Sequence, residues 1–304
     1  MFSIISDGGC DFCKLEATKH HVGIVPFYIN IDEHTSVREG IDLSKEEFFH
    51  RLKTEKDLKP KTAQPSPQDF LDKIVPELEQ GKDVLVLTIS SKLSGSFQSA
   101  TIAADMVRDD FPNATVAIVD SLNASIGQGL ILREIIAMRD ANFSLADTLT
   151  VADEVISNTH TYVTLDTLEF VKRGGRVSSM AAFVGNALGL RPILQIKDGV
   201  VITLDKARGK KKAIGLLREN IANTLVNVKN NVNLSIGQIA NEADSLSLRD
   251  AIESALDVVI NLPITEIGAA IGTHAGPGAF GFSHCPKFYT LLSAKLVTEQ
   301  MQTA

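Results

Sequence analysis

The sequence predicts an α/β protein of two domains, an N-terminal unit on a parallel sheet and a C-terminal unit on a mixed or antiparallel one. Three observations carry this. The chain has 304 residues, long for one domain, and a chain of that mass can bury roughly three-quarters of its unfolded surface in packed cores. Its first two-thirds alternates short β-branched runs with amphipathic stretches, the rhythm of right-handed crossovers in a parallel sheet. Its last part breaks that rhythm with a hairpin signal. The boundary is placed near residue 160, giving units of 1–160 and 161–304.

In order, residues 2–6 and 24–31 read as strands, and 45–53 and 68–78 as helices with apolar side chains spaced by three or four. Residues 84–87, Val-Leu-Val-Leu, form the short continuous apolar run of a strand buried on both faces. Helix follows at 97–108, strand at 115–119, and helices at 126–139 and 145–156. Beyond 160, strand is expected at 161–165, helix at 168–173 and 178–188, and strands at 192–196 and 200–204. The last two flank Lys197-Asp198-Gly199, and Asp-Gly suits a tight primed turn. A helix at 210–228, a strand at 232–239, a helix at 246–259 and a final strand at 264–271 complete the reading, with 298–304 as a frayed helix end.

Composition removes several classes. An apolar fraction of 44% with 22% charged residues is that of a globular protein, not a disordered or collagen-like one. A net charge of −7 argues against a broad nucleic-acid surface. The three cysteines, Cys10, Cys13 and Cys285, are too few and odd in number for a disulfide framework, which points to a reducing compartment. No apolar run reaches membrane-spanning length, and the start lacks a basic, secretory-type segment. These features give a cytoplasmic, soluble expectation. Cys10 and Cys13 have a C-x-x-C spacing, but a structural zinc site wants a second ligand pair and a redox pair would sit at a helix start, so ordinary thiols are expected.

Chemistry concentrates in a few loops. Ile89-Ser-Ser-Lys-Leu-Ser-Gly-Ser-Phe97 lies between a buried strand and a helix, where ligands of open parallel sheets bind. Ser94, Gly95 and Ser96 would offer hydroxyls and unpaired N–H groups to an anion. The same residues would also serve as plain N-caps. Lys61-Thr-Ala-Gln-Pro-Ser66 and Asp120-Ser-Leu-Asn-Ala-Ser125 stand before helices in the same way, and Thr62 or Ser66 could donate to the anion. Lys172-Arg-Gly-Gly-Arg176 and Lys206-Ala-Arg-Gly-Lys-Lys-Lys212 form a cationic pair of loops. Cations at a helix start oppose its dipole, which favours a phosphate or an acidic partner over mere solvation. Ile271-Gly-Thr-His-Ala-Gly-Pro-Gly278 reads as a glycine-rich turn after a strand, with His274 able to donate to an anion or move a proton near neutral pH. The phosphate-loop pattern G-x-x-x-x-G-K-[ST] is not present, nor a G-x-S-x-G elbow.

Taken in series, these blocks resemble the DegV family of fatty-acid-binding proteins that serve bacterial fatty acid kinase. Ser6-Asp7 with Asp11 is similar to the family's opening Ser-Asp-Ser-x-x-Asp, with Gly8 in place of the usual Ser. Thr62-Ala-Gln-Pro-Ser66 is similar to its Thr-Ser-Gln-Pro-Ser, with Ala63 the departure. Residues 89–97, 120–129, 166–178 and 272–278 resemble the remaining blocks. The resemblance implies a two-domain DegV-like fold holding one long-chain fatty acid in a buried tunnel. It implies that Thr62, Ser94 and Gly95 hold the carboxylate with His274 nearby, and that Arg176 and Arg208 orient a phosphoryl group or dock the kinase. It implies no cofactor and no metal, a lipid-binding role rather than an enzyme's, and an ATP-dependent kinase subunit as partner. No nucleic acid and no integral membrane segment are expected, at most transient contact with a membrane surface. The departures at Gly8 and Ala63 bear on side-chain bonds at those two positions alone.

Two rivals use the same residues. A serine hydrolase would pair Ser94 with His274 and an acid such as Asp7 or Asp120. A phosphate- or nucleic-acid-binding module would use Lys206 to Lys212 and would bind in a salt-dependent way.

Overall fold

The computed structural model describes residues 2–55, 57–177, 189–225 and 231–292. The helix expected at 178–188, the end of the one expected at 210–228, and the tail 298–304 lie outside the described residues. The chain opens with β1 (Ser3–Asp7), a 3₁₀ turn at Gly8–Cys10, α1 (Lys14–Lys19), β2 (Val22–Val25), β3 (Tyr28–Asn30), β4 (Ser36–Arg38), α2 (Lys45–Thr54) and β5 (Lys61–Ala63). It continues through α3 (Pro67–Leu78), β6 (Val84–Thr88), α4 (Ser96–Val107), β7 (Val116–Asp120), α5 (Ile126–Asp140) and α6 (Leu145–Ser157). Then come β8 (His160–Thr164), α7 (Glu169–Gly174), β9 (Leu190–Lys197), β10 (Val200–Arg208), α8 (Lys210–Leu225), β11 (Val232–Gln238), α9 (Glu242–Leu256), β12 (Thr265–Glu266), α10 (Ala269–Ala275) and β13 (Phe280–Pro286).

The first sheet is parallel throughout, in the order β2-β1-β6-β7. Both its faces are covered, as the Val-Leu-Val-Leu run requires. Val84 and Val86 join a core with α3 and α4 side chains such as Phe70 and Ala103. Leu85 and Leu87 join a separate core with Leu130, Ile135 and Val155 from α5 and α6.

The second sheet runs β10-β9-β8-β13-β11-β12 and is mixed, antiparallel except for β11 with β12. One face is apolar: Tyr162, Ile193, Ile236 and Phe282 pack with Leu217 and Ile221 of α8 and Ile252 of α9. The other face carries Thr161, Ser235, Gly237, Gly281 and Ser283. Its small size lets α5 approach, and a Cβ on Gly237 would stand 2.7 Å from the Ile126 side chain. The hairpin forms as its sequence indicates. Val200 pairs with Lys197, and Asp198 and Gly199 have φ values of 50° and 81°, the two left-handed residues of a type I′ turn.

Three expectations need correction. The run at 24–31 is not one strand: Pro26, without an N–H, separates β2 from β3, which belongs to a small antiparallel sheet β4-β3-β5. The run at 264–271 is not a strand either. It holds the two-residue β12 and then the start of α10. An Ile/Gly/Ala run has no polar punctuation to reveal its period, and α10 is started by distant carboxylates: Gly268 N–H donates to Asp11 Oδ1 and Ala270 N–H to Glu39 Oε1, both at 2.9 Å. The last strand of the sheet in chain order is instead β13, which lies between β8 and β11 and which the sequence reading lacks.

Candidate functional site

Asp7 organises the site. It ends β1 and is fully buried. Its Oδ1 accepts from Gly9 N–H (3.1 Å) and Gln128 Nε2 (2.9 Å), its Oδ2 from Ile89 N–H (3.0 Å) and Ser96 Oγ (2.6 Å). Burial raises its pKa above the ordinary carboxylate value, and all four bonds work against that rise. The carboxylate thus pins both ends of the loop 89–95 over the strand ends. Ser90 Oγ adds a tie across the molecule, donating to Gly199 O at 2.7 Å on the hairpin tip.

Within that loop the serines serve as caps only in part. Ser94 Oγ accepts from Ser96 N–H at 3.3 Å, and the N-cap of α4 is Gly95, which has no side chain to cap with. The first turn of α4 therefore keeps open N–H groups beside a half-buried hydroxyl.

A cavity of about 430 Å³ opens next to this loop. Its wall is chiefly aliphatic and draws on both halves, with Ile89, Leu93 and Ala124 facing Val163, Leu194 and Ile271. Thr62, Gln64, Ser94, Arg176 and His274 belong to its polar lining, together with Ser125, Thr161 and Gln195. Thr62 stands in β5 rather than in a loop, opposite Ile29, and its Oγ1 lies 2.8 Å from His274 Nε2. His274 sits on α10, not in a turn after a strand. Its Nδ1 is enclosed without a partner and packs against the Gly174 backbone. An enclosed N–H without an acceptor costs more than an idle lone pair, and orphaned donors are accordingly the rarer of the two in folded proteins. The ring proton therefore belongs on Nε2, donated to Thr62 Oγ1, which turns the Thr62 hydroxyl proton toward the cavity. Burial first, then the Arg176 charge, holds the His274 pKa down to about 4. The ring is neutral at physiological pH, so it orients Thr62 instead of shuttling protons there.

The Arg176 guanidinium is fixed by two carbonyls, Gly174 O at 2.6 Å and Leu93 O at 3.4 Å. Gly95 touches the site through Gln64, whose amide would stand 2.5 Å from a Cβ at that position. Gln64 has no role expected from its motif, and its place in a strand–proline–helix entry is the signal for one. Arg208 does not line the cavity. It ends β10 opposite Leu190, exposed, before Gly209 and the lysines of α8. Lys210 is drawn into a 3.0 Å ion pair with Asp244, which offsets part of the cationic load on that helix start.

The hydrolase arrangement is not assembled. His274 Nε2 meets Thr62, not Ser94, and Nδ1 meets no acid. Asp7 is committed as above, and Asp120 accepts from Ser91 and Leu122 N–H groups. The three cysteines are free thiols, and burial pushes the Cys10 thiol up to about 12. Among the described residues no helix is long and apolar enough to cross a membrane.

A family model described as "Uncharacterised protein, DegV family" matches residues 1–287. A DegV domain-containing protein of Caldanaerobacter subterraneus subsp. tengcongensis is 30% identical over 281 residues, 92% of this chain and 96% of the relative. A stearic acid-binding protein from Eubacterium ventriosum superposes with a TM-score of 0.90 at 29% identity, over 95% of this chain and 100% of that one. A DegV family protein from Thermus thermophilus, described by its fatty acid binding, gives 0.84 at 30% identity, over 94% and 99%. With a family match spanning nearly its whole length, the chain belongs to the DegV family.

Proposed function

We propose that this protein binds one long-chain fatty acid in the cavity and presents its carboxylate to a separate ATP-dependent kinase subunit, which converts it to an acyl phosphate. The observation that carries the reading is the make-up of the cavity: a chiefly aliphatic wall from both halves, with Thr62, Ser94, Arg176 and His274 clustered beside the loop 89–95. The fatty acids bound by related structures, stearic acid among them, support it. Burying a tail of about fifteen methylenes contributes on the order of 12 kcal/mol before ordering costs. Each charge-assisted bond to the carboxylate adds roughly 1.5–3 kcal/mol. The tail thus supplies affinity and the head sets direction.

In this proposal Thr62, Ser94 and the Gly95 N–H hold the carboxylate, and His274 acts through Thr62. Arg176 and Arg208 serve the phosphoryl step or kinase docking, with the two domains meeting near residue 160 and the protein working in the cytoplasm without a cofactor. Native mass spectrometry of the purified protein, before and after organic extraction, tests it. Co-purified fatty acid, or uptake of palmitate or oleate at one per chain, is the expected result. Protein that carries no lipid and takes none up would end the proposal.

A further inference from the structure

Two carboxylates that the fatty-acid reading does not use stand behind the cavity wall. Asp11, just after the 3₁₀ turn that follows β1, and Glu39, after β4, both reach the start of α10. Asp11 Oδ1 accepts from Gly268 N–H at 2.9 Å, and its Oδ2 accepts from Ser125 Oγ at 2.5 Å. Glu39 Oε1 accepts from Ala270 N–H at 2.9 Å, while Glu39 Oε2 is enclosed with no partner. The two groups crowd one spot, since a Cβ on Gly268 would overlap Glu39 Oε1 and stand 3.2 Å from Asp11 Oδ1. Ser125, Ala270 and Ile271 are themselves cavity wall, and α10 ends in the His274 that orients Thr62.

We propose that Asp11 and Glu39 are positioning residues for the head-group wall: they hold α10 in place, and gain of negative charge at this pair loosens that wall and speeds ligand exchange. The step from latch to exchange rests on the fatty-acid reading; the latch itself does not. The physical cause is crowding. An ionised Glu39 leaves an enclosed negative oxygen without a donor, beside a second carboxylate, with Asp7 of β1 adding to the repulsion. Protonation removes the repulsion and leaves Oε1 still able to accept from Ala270. The other charged groups facing the pair are few. Lys45 of α2 faces Asp11 and is itself paired at 2.7 Å with Glu266 of β12. From α5 the neighbour is the uncharged Ser125.

Burial is the first cause in both cases, holding Asp11 up at about 6 and Glu39 at about 7. The unfolded chain releases these protons near the ordinary carboxylate values of 3.8 and 4.5. The folded state therefore binds more protons in between, and the stability this pair contributes is fully present below about pH 4 and is lost as pH rises through 6 to 7. His274 titrates near 4, and a free carboxylate does so in the same range. A transition between 6 and 7 that Glu39→Gln abolishes is thus assigned to this pair.

The test compares wild type with Glu39→Gln in two measurements: urea unfolding of delipidated protein from pH 4.5 to 8.5, and release of a bound fluorescent fatty acid over the same range. Wild type is expected to release ligand about tenfold faster at pH 8 than at pH 5.5, the effect of one pKa unit transmitted to the wall. Glu39→Gln should flatten that profile and be the more stable of the two at pH 8, the difference closing at pH 5. Gly8→Ser supplies a second variant, because a Cβ there would lie 3.3 Å from Glu39 Oε2. The added hydroxyl can donate to that oxygen, and the release transition should move to lower pH. A wild-type profile in Glu39→Gln, or an unmoved transition in Gly8→Ser, overturns the proposal. Flattened unfolding without any ligand uptake would keep the latch and remove the fatty-acid reading.

Discussion

The Thr62–His274 bond makes a quantitative prediction. Thr62→Val keeps the shape of the side chain and removes its hydroxyl. In the bound state the carboxylate loses one donor, worth about 1.5–3 kcal/mol for a hydrogen bond to a charged group. That corresponds to affinity roughly ten- to 150-fold weaker. The His274 Nε2 proton, now 2.8 Å from a methyl group instead of an acceptor, is idle in free and bound protein alike. Its cost of about 1–3 kcal/mol therefore appears in unfolding, not in binding. His274→Phe leaves the Thr62 donor in place and only frees its rotation, so affinity should fall less, about fivefold or under 1 kcal/mol. Because His274 acts through Thr62, the double variant should bind no more weakly than Thr62→Val alone. Displacement of a fluorescent fatty acid from delipidated protein at pH 7.4 measures all three, with urea unfolding alongside. Thr62→Val within twofold of wild type would refute the head-group assignment. Losses that add within about 0.5 kcal/mol in the double variant would refute the relay.

The remaining predictions use other parts of the molecule. Arg208→Ala and Arg176→Ala should retain bound lipid, since neither supplies tail contacts, yet slow acyl phosphate formation in an assay with the kinase subunit; lipid-free preparations of both would contradict their assigned role. His284 is buried, with Nε2 at 2.8 Å from Thr224 Oγ1 and no partner for Nδ1, and burial first and His160 second hold its pKa down to about 3. The unfolded chain binds that proton near 6.5, so His284 lets stability fall as pH drops from 6.5 toward 3, and His284→Phe should reduce the slope of urea unfolding free energy against pH there. Two glycine substitutions should have opposite signs in thermal melts. Gly215→Ala, within α8 and facing open space, should stabilise by about 0.5–1 kcal/mol. Gly127→Ala, whose Cβ would overlap the mutually bonded Asn123 and Thr161 side chains, should cost about 2–3 kcal/mol.

Local signals were legible where they were strong. Val84 to Leu87, the Asp198-Gly199 turn and the amphipathic Phe70–Ile74–Leu78 stripe each fix one element by residue type and spacing. The loop 89–97 could be placed at the mouth of a site because it follows a strand buried on both faces. What escaped depends on partners far along the chain. β3, β4 and β5 have three residues each, too short for alternation to register. β13 reads Phe-Gly-Phe-Ser-His-Cys-Pro; its Gly281 and Ser283 lie on the small-residue face that α5 covers, while His284 on the other face meets Thr224 of α8. α10 begins where Asp11 and Glu39 supply acceptors from about 230 to 260 residues away, and nothing near Glu39 in the sequence marks it. In the site, Thr62, Ser94, Arg176 and His274 do line one cavity, whereas Arg208 lies apart from it. The role of Asp7 as the anchor of the loop follows from four bonds that no spacing rule encodes.

One feature of the mixed sheet bears on how the chain is made. β13 lies between β8 and β11, in the interior of the sheet, yet it is the last of the described strands to leave a ribosome. Until residues 280–286 emerge, β8 and β11 each present a row of unpaired N–H and C=O groups. An unfinished copy therefore carries two sticky edges at its centre, a state prone to pairing with other unfinished copies. Chains shortened before residue 280 should collect in the insoluble fraction, whereas slowing synthesis after residue 286 should leave the yield of soluble protein unchanged.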